Sequence, residues 1–218
     1  MTWRDRWFHL KRRVCEFFED QWFDRTHHVH TSGDVSLRNA GIATGEEADS
    51  ELYVPARPKH IREALHASPI PDASPYTFVD IGSGKGRTLF VAAELPFRRV
   101  VGVEFSARLH EQACRNVQTF RFRGKDGSRV EPLHQNAMEF RFPDGPLVLY
   151  LFNPFGAATM QVVLNRLNES LQRDPRHTVM VLLWPRCGEQ VARVRGMQRV
   201  CGTQRHEIFQ AYAPMRQS

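Results

Sequence analysis

The stretch Phe78-Val79-Asp80-Ile81-Gly82-Ser83-Gly84-Lys85-Gly86-Arg87 decides the reading of this chain. Tyr76–Ile81 is a short apolar run with aromatic and β-branched residues, the pattern of a strand buried on both faces. Three glycines at alternate positions then form a tight turn, and a helix over Gly86–Leu95 is expected to follow. Gly82 and Gly84 let the backbone turn sharply and approach a ligand without a Cβ in the way. The helix start presents unpaired N–H groups suited to an anion. A phosphate-binding P-loop would need Lys followed by Ser or Thr, but Lys85 is followed by Gly86. A dinucleotide fingerprint would need its third glycine one residue later, where Arg87 stands. The pattern D-x-G-x-G-x-G fits at every position.

Working outward, strand and helix alternate. Lys59–Ala67 reads as helix, Arg99–Glu104 as the second strand, Ala107–Phe122 as a long helix and Arg129–His134 as the third strand. Pro146–Phe152 is the fourth strand, Ala157–Arg173 a helix and His177–Trp184 the fifth strand. Met160, Val163, Leu164, Leu167 and Leu171 recur at helical spacing on one face. Gln198–Pro214 has room for two shorter strands. The spacing predicts an α/β fold: a doubly wound, mostly parallel, seven-stranded Rossmann-like sheet with an N-terminal helical extension. Ligands of such sheets bind outside the carboxyl ends of the strands, where the strand order reverses.

The domain is expected over residues 59–218, with residues 1–58 as an extension. Trp3, Trp7, Leu10, Val14 and Phe17 recur at steps of three or four, with Arg4, Arg6, Lys11, Arg12 and Arg13 nearby. Such a helix over residues 3–17 suits its own domain, a partner or an anionic membrane surface. Residues 25–51 read as irregular loop. His27, His28 and His30 lie close together, but no second cluster of ligands matches them, so no metal is expected.

The 218 residues suffice for one sizeable core, with 41% hydrophobic and 25% charged residues. No apolar run is long enough to span a bilayer, and no secretory leader is evident. Cys15, Cys114, Cys187 and Cys201 form no CxxC pair, which favours reduced thiols in the cytoplasm. A net charge of +6 permits nucleic acid, anionic lipid or acidic protein as partner without choosing among them. Phe120-Arg121-Phe122-Arg123 interleaves aromatics and cations, which suits nucleic acid or the end of an amphipathic helix.

Asp80 to Gly86 resembles motif I of class I S-adenosylmethionine-dependent methyltransferases. The resemblance covers about residues 51–214 and implies S-adenosyl-L-methionine as cofactor. Asp80, Gly82, Ser83, Gly84 and Gly86 would form its loop. Glu104, 18 residues after Gly86, would accept from the ribose hydroxyls, and Phe105 would pack on adenine. His134-Gln135-Asn136-Ala137 stands where such enzymes commonly carry Asp before Ala. Asn136 and Ala137 would then meet the adenine, Asn136 as a neutral acceptor. Asn153-Pro154-Phe155 looks like a shortened N-P-P-[FY] loop of N-methyltransferases, with the second proline replaced by Phe155. In those families the Asn side chain accepts from the target nitrogen, which makes Asn153, Pro154 and Phe155 the catalytic candidates. Tyr53-Val54-Pro55 resembles a Tyr-x-Pro segment that closes over the methionine end in DOT1-like and ATP-synthase subunit c lysine methyltransferases, although Ala56 replaces their usual Thr. The resemblance implies an N-methyltransferase acting on a protein side chain. Small-molecule or nucleic-acid methylation, and a non-catalytic cofactor-binding scaffold, are the alternatives.

Overall fold

The computed structural model describes residues 19–33, 53–121 and 129–212. A helix at residues 19–27 (α1) is followed by α2 (Pro58–His66), β1 (Thr77–Ile81), α3 (Arg87–Ala92), β2 (Arg99–Glu104) and α4 (Ala107–Thr119). Then come β3 (Val130–His134), a 3-10 turn at Ala137–Glu139, β4 (Leu147–Leu151), α5 (Ala157–Arg173), β5 (Thr178–Leu183), α6 (Gly188–Val191), β6 (Gln198–Gly202) and β7 (His206–Ala211). The seven strands form one sheet in the order β3-β2-β1-β4-β5-β7-β6. The first five run parallel, and β7 inserts antiparallel between β5 and β6. The expected doubly wound sheet is therefore present, and its order reverses between β1 and β4.

Alternate residues of the central strands face opposite layers. Phe78 pairs with Val100 and Val148, and Val148 with Val179. All four join a core with Ile61, Leu65, Leu89 and Phe90 from α2 and α3. Their neighbours Val79, Val101, Leu149 and Met180 lie in the core covered by Met160, Val163, Leu164 and Leu167 of α5. Burying a side chain of this size contributes about 1.5–3 kcal/mol each. These strands read as continuous apolar runs because both faces are covered.

Two boundaries differ from expectation for identifiable reasons. The helix after Gly86 stops at Ala92, ahead of Pro96, and α4 stops at Thr119. Phe120 turns extended and stacks on Phe90, ring centroids 4.4 Å apart, with His27 on its other side at 5.0 Å. Phe120 is thus a buried core ring and offers no face to a nucleobase; residues 122–128 lie outside the described residues.

Residues 25–27 continue α1 and are not irregular. The amphipathic reading of residues 3–17 lies outside the described residues. Phe23 and Val29 enter the same core as Phe90. No helix among the described residues is long and apolar enough to cross a membrane.

Candidate active site

The carboxyl ends of β1 to β5 and the loops after them surround a cavity of about 580 Å³. At β1 the chain leaves Ile81 through Gly82 (φ +80°), Gly84 (φ +55°) and Gly86 (φ +88°), a left-handed series that side chains rarely adopt. Gly82 and Gly84 also sit under close neighbours. A Cβ on Gly82 would lie 2.4 Å from Pro154 Cβ, and one on Gly84 would lie 2.1 Å from the Tyr53 ring. Motif I therefore packs directly against both the Asn153 loop and the Tyr-x-Pro segment. Tyr53 donates from its hydroxyl to the Thr31 carbonyl, 2.9 Å, and Lys85 Nζ lies 5.0 Å from the centre of its ring.

Glu104 closes the other side of the loop. Its carboxylate accepts from Gly84 N and from Ser106 N, each at 2.8 Å. Burial pushes its pKa up, and these backbone donors oppose that. Each oxygen retains acceptor capacity beyond one bond, and Glu104 lines the cavity beside Phe105, which is 37% exposed. Asp80, at the floor, is buried and its pKa is pushed up to about 8. Desolvation is the main cause; a Thr88 hydrogen bond opposes it and the Glu104 charge adds to it. Ser83 Oγ, on a cavity-lining residue, is buried without a hydrogen-bond partner. Burial likewise raises the Tyr150 phenol, and the nearby Asp80 charge works in the same direction.

The structure distributes the other expected site residues unevenly. Tyr53, Asp80, Gly82, Ser83, Glu104, Phe105, Ala137, Asn153, Pro154 and Phe155 line the cavity. Gly84 and Gly86 shape the loop behind it. Asn136 does not line the cavity: it caps the 3-10 turn, its Oδ1 accepting from Met138 N at 2.9 Å, and Gln135 is the cavity neighbour in its place. The short turn explains this departure, because an Asn at its start bonds locally.

Asn153, two residues after β4, lies in the left-handed region (φ +42°), and Trp184, just after the adjacent β5, lies in the same region (φ +50°). Asn153 Nδ2 donates to the Trp184 carbonyl at 2.6 Å, while Trp184 N donates to the Arg205 carbonyl at 2.6 Å. A carbonyl can only accept, so this bond settles the amide orientation. The nitrogen faces Trp184 and Oδ1 is left as an acceptor. Two strained non-glycine residues on neighbouring strand ends, joined this way, form a held element of the kind found at functional sites. Trp184 is 38% exposed, with His60 packed edge-on at 6.0 Å.

Neither a family model nor a curated protein sequence matches the chain. Solved structures do. A glycopeptide N-methyltransferase, MtfA, in complex with S-adenosyl-L-methionine superposes with a TM-score of 0.53 at 12% identity, covering 79% of this chain and 100% of that one. A predicted N6-adenine-specific DNA methylase from Listeria monocytogenes gives 0.54 at 12% identity over 81% of this chain, which spans 55% of that protein. The 23S rRNA methyltransferase ErmE gives 0.50 at 13% identity, over 75% and 70%. The chain has the class I methyltransferase fold. On this methyltransferase fold, the observed cavity opens at the switch point between β1 and β4.

Arg87, Thr88, Gln135, Tyr150, Trp184, Arg186 and Gln204 also line the cavity and were not singled out by sequence. Trp184 carried a usable signal, because it closes the fifth parallel strand at the carboxyl end. Tyr150 carried none: inside Leu147-Val148-Leu149-Tyr150-Leu151 it reads as core.

Proposed function

We propose that this protein is an S-adenosyl-L-methionine-dependent N-methyltransferase acting on a protein side chain. The observation that carries the reading is the Asn153 amide, held by the Trp184 carbonyl with Oδ1 left to accept, in the same cavity as Glu104 and the glycine turn. Fit to the cofactor rests on this chain's own groups. Ser83 Oγ is a buried polar atom in need of a partner. Glu104 suits vicinal hydroxyls, and the exposed face of Phe105 suits a planar ring.

When bound, the cofactor supplies an electrophilic methyl on a sulfonium, which is the difficult part of the chemistry. The protein must exclude water and align the nucleophile. Asn153 Oδ1 would accept a hydrogen bond from an acceptor N–H and aim the nitrogen lone pair. An amine must be neutral to attack, and burial beside Phe152, Phe155 and Trp184 lowers an amine's pKa.

A protein side chain suits the edge of the cavity. Val54 and Trp184 are exposed there and form an apolar collar for the methylene stem of a residue such as lysine. The packing of Tyr53 on Gly84 supports the Tyr-x-Pro resemblance to lysine methyltransferases. The structural neighbours act, by their names, on a glycopeptide, DNA and rRNA, so they do not select the acceptor. The test is transfer of labelled methyl from S-adenosyl-L-methionine into a host lysate, followed by separation into protein, nucleic-acid and small-molecule fractions. Label in protein, on a side-chain nitrogen, is the expected result. Label confined to either other fraction would overturn the acceptor assignment.

A further inference from the structure

Asn153 holds its amide in one orientation, and that orientation limits which amines can react. Nδ2 donates to the Trp184 carbonyl at 2.6 Å, so turning the amide over would set two oxygens against each other. Trp184 is itself tied down, its N–H donating to the Arg205 carbonyl at 2.6 Å. Both residues line the cavity. Beside them Phe152, Pro154 and Phe155 line it with apolar side chains, which supply contact but no hydrogen-bond acceptor. The Asn153 amide therefore meets a seated amine as an acceptor, through Oδ1, and not as a donor.

The N–H groups of the acceptor decide the rest. A primary ammonium has three, and each methyl added removes one, so a dimethylated ammonium has a single N–H and a trimethylated one has none. To attack, the nitrogen must first lose a proton. The electron pair left behind forms the N–CH3 bond while the S–CH3 bond breaks, that bond's electrons staying on sulfur. The proton passes to water at the cavity mouth, where Trp184 is exposed. After this loss the unmodified amine keeps two N–H groups and the monomethylated amine keeps one. Oδ1 can still hold and aim either nitrogen. The dimethylated ammonium has only the proton that Oδ1 accepts. Losing it breaks the one hydrogen bond that aims the nitrogen, and that bond favours the charged form. Gln204, which also lines the cavity, does not alter this, because a neutral tertiary amine has no N–H for any acceptor.

We propose that Asn153, locked by the Trp184 carbonyl, sets the number of methyl groups transferred: it admits two to one amine, blocks the third, and retains the dimethylated ammonium as an unreactive ligand. The proposal rests on the N-methyltransferase reading of the same site.

The probe is the peptide around the amine labelled in the lysate, synthesised with that amine unmodified, monomethylated, dimethylated or trimethylated. On wild type, exhaustive reaction should end at the dimethyl product by mass spectrometry. Single-turnover transfer to the dimethylated peptide should be slower than to the monomethylated one by about 100-fold or more. Calorimetry at neutral pH with S-adenosylhomocysteine present adds a readout that needs no turnover. The peptides that keep an N–H should bind within about threefold of one another, and the trimethylated peptide about tenfold more weakly. Asn153→Gly should remove that binding gap and bring the transfer rates within about threefold of one another. The wild-type product and affinities serve as the test even where the variant does not fold. Trimethyl product from wild type, or a binding gap that survives in Asn153→Gly, would overturn the role of Asn153 and leave the methyltransferase reading standing. Label on no protein amine would instead remove that reading, and the inference with it.

Discussion

Two asparagines sit just beyond the ends of parallel strands in this sheet, and their surroundings assign them opposite jobs. Asn136, after β3, has its oxygen engaged by Met138 N and so stabilises a turn. Asn153, after β4, has its nitrogen engaged by the Trp184 carbonyl, so its oxygen remains to accept. Residue type and topological position are nearly the same. The difference is which atom the local backbone consumes, and that is set by the next element: a tight 3-10 turn in one case, a strained neighbouring strand end in the other. If this comparison is right, the two positions must respond differently to the same truncation.

The largest effect is expected at Asn153. Asn153→Ala should lower kcat about 100-fold or more while the cofactor Kd stays within about threefold. Since the backbone there is left-handed, part of an alanine effect could come from strain. Asn153→Gly removes the amide but tolerates the backbone, and it should lose comparable turnover. A glycine variant with near-normal kcat would show that the amide oxygen has no part in positioning the acceptor.

Next is Gly82, which supports the Asn153 loop from beneath. A methyl at this position meets Pro154 at 2.4 Å and must also adopt φ +80°. Gly82→Ala should therefore cost about 1–3 kcal/mol of stability. It should also reduce turnover and cofactor binding together, in contrast to the split expected at Asn153. Chemical denaturation and paired kinetic and binding measurements would separate the two patterns. A stable variant with only one parameter changed would argue against the contact between motif I and the Asn153 loop.

The sheet and these two loops differ in how far sequence reveals them. The parallel strands were readable because Tyr76–Ile81, Arg99–Glu104 and Pro146–Phe152 are apolar runs between turn signals. The glycine turn was readable because its three glycines each meet a backbone demand. Arg87 was not: an arginine after a turn reads as surface, and the aspartate that pairs with it lies 67 residues earlier. Tyr150 was hidden for the converse reason, since an aromatic in an apolar strand reads as core even when the residue lines a cavity. Asn136 shows a further limit. Its place in the order of motifs was legible, but the one-turn helix that engages its oxygen was not.

A pH effect of intermediate size should distinguish the cofactor side of the site from the acceptor side. Burial raises the Asp80 carboxyl to about 8, well above the ordinary value of 3.8. The ligand's ammonium would select the ionised form, so cofactor affinity should weaken as pH falls below 8, by up to about tenfold per pH unit, and level off above it. Folding runs the other way: ionising this carboxyl inside the fold costs stability as pH rises from 3.8 toward 8. Asp80→Asn should accordingly raise the melting temperature near neutral pH, by about 4 °C or more, and flatten the pH dependence of binding. A wild-type Kd independent of pH between 6 and 8 would remove Asp80 from cofactor recognition.

The smallest effect belongs to Asn136, and it is the sharpest check on the comparison. As a turn cap, it should lose about 0.5–2 kcal/mol on conversion to Ala. The cofactor Kd should change by less than about threefold, because its oxygen does not face the cavity. Its neighbour Gln135 lines the cavity, so Gln135→Ala should raise Kd without a matching loss of stability. The reverse result, with Asn136→Ala weakening binding and Gln135→Ala leaving it intact, would mean that the turn opens on ligand binding and frees the Asn136 oxygen. The difference between the two asparagines would then be a property of one conformation and not of the sequence around them.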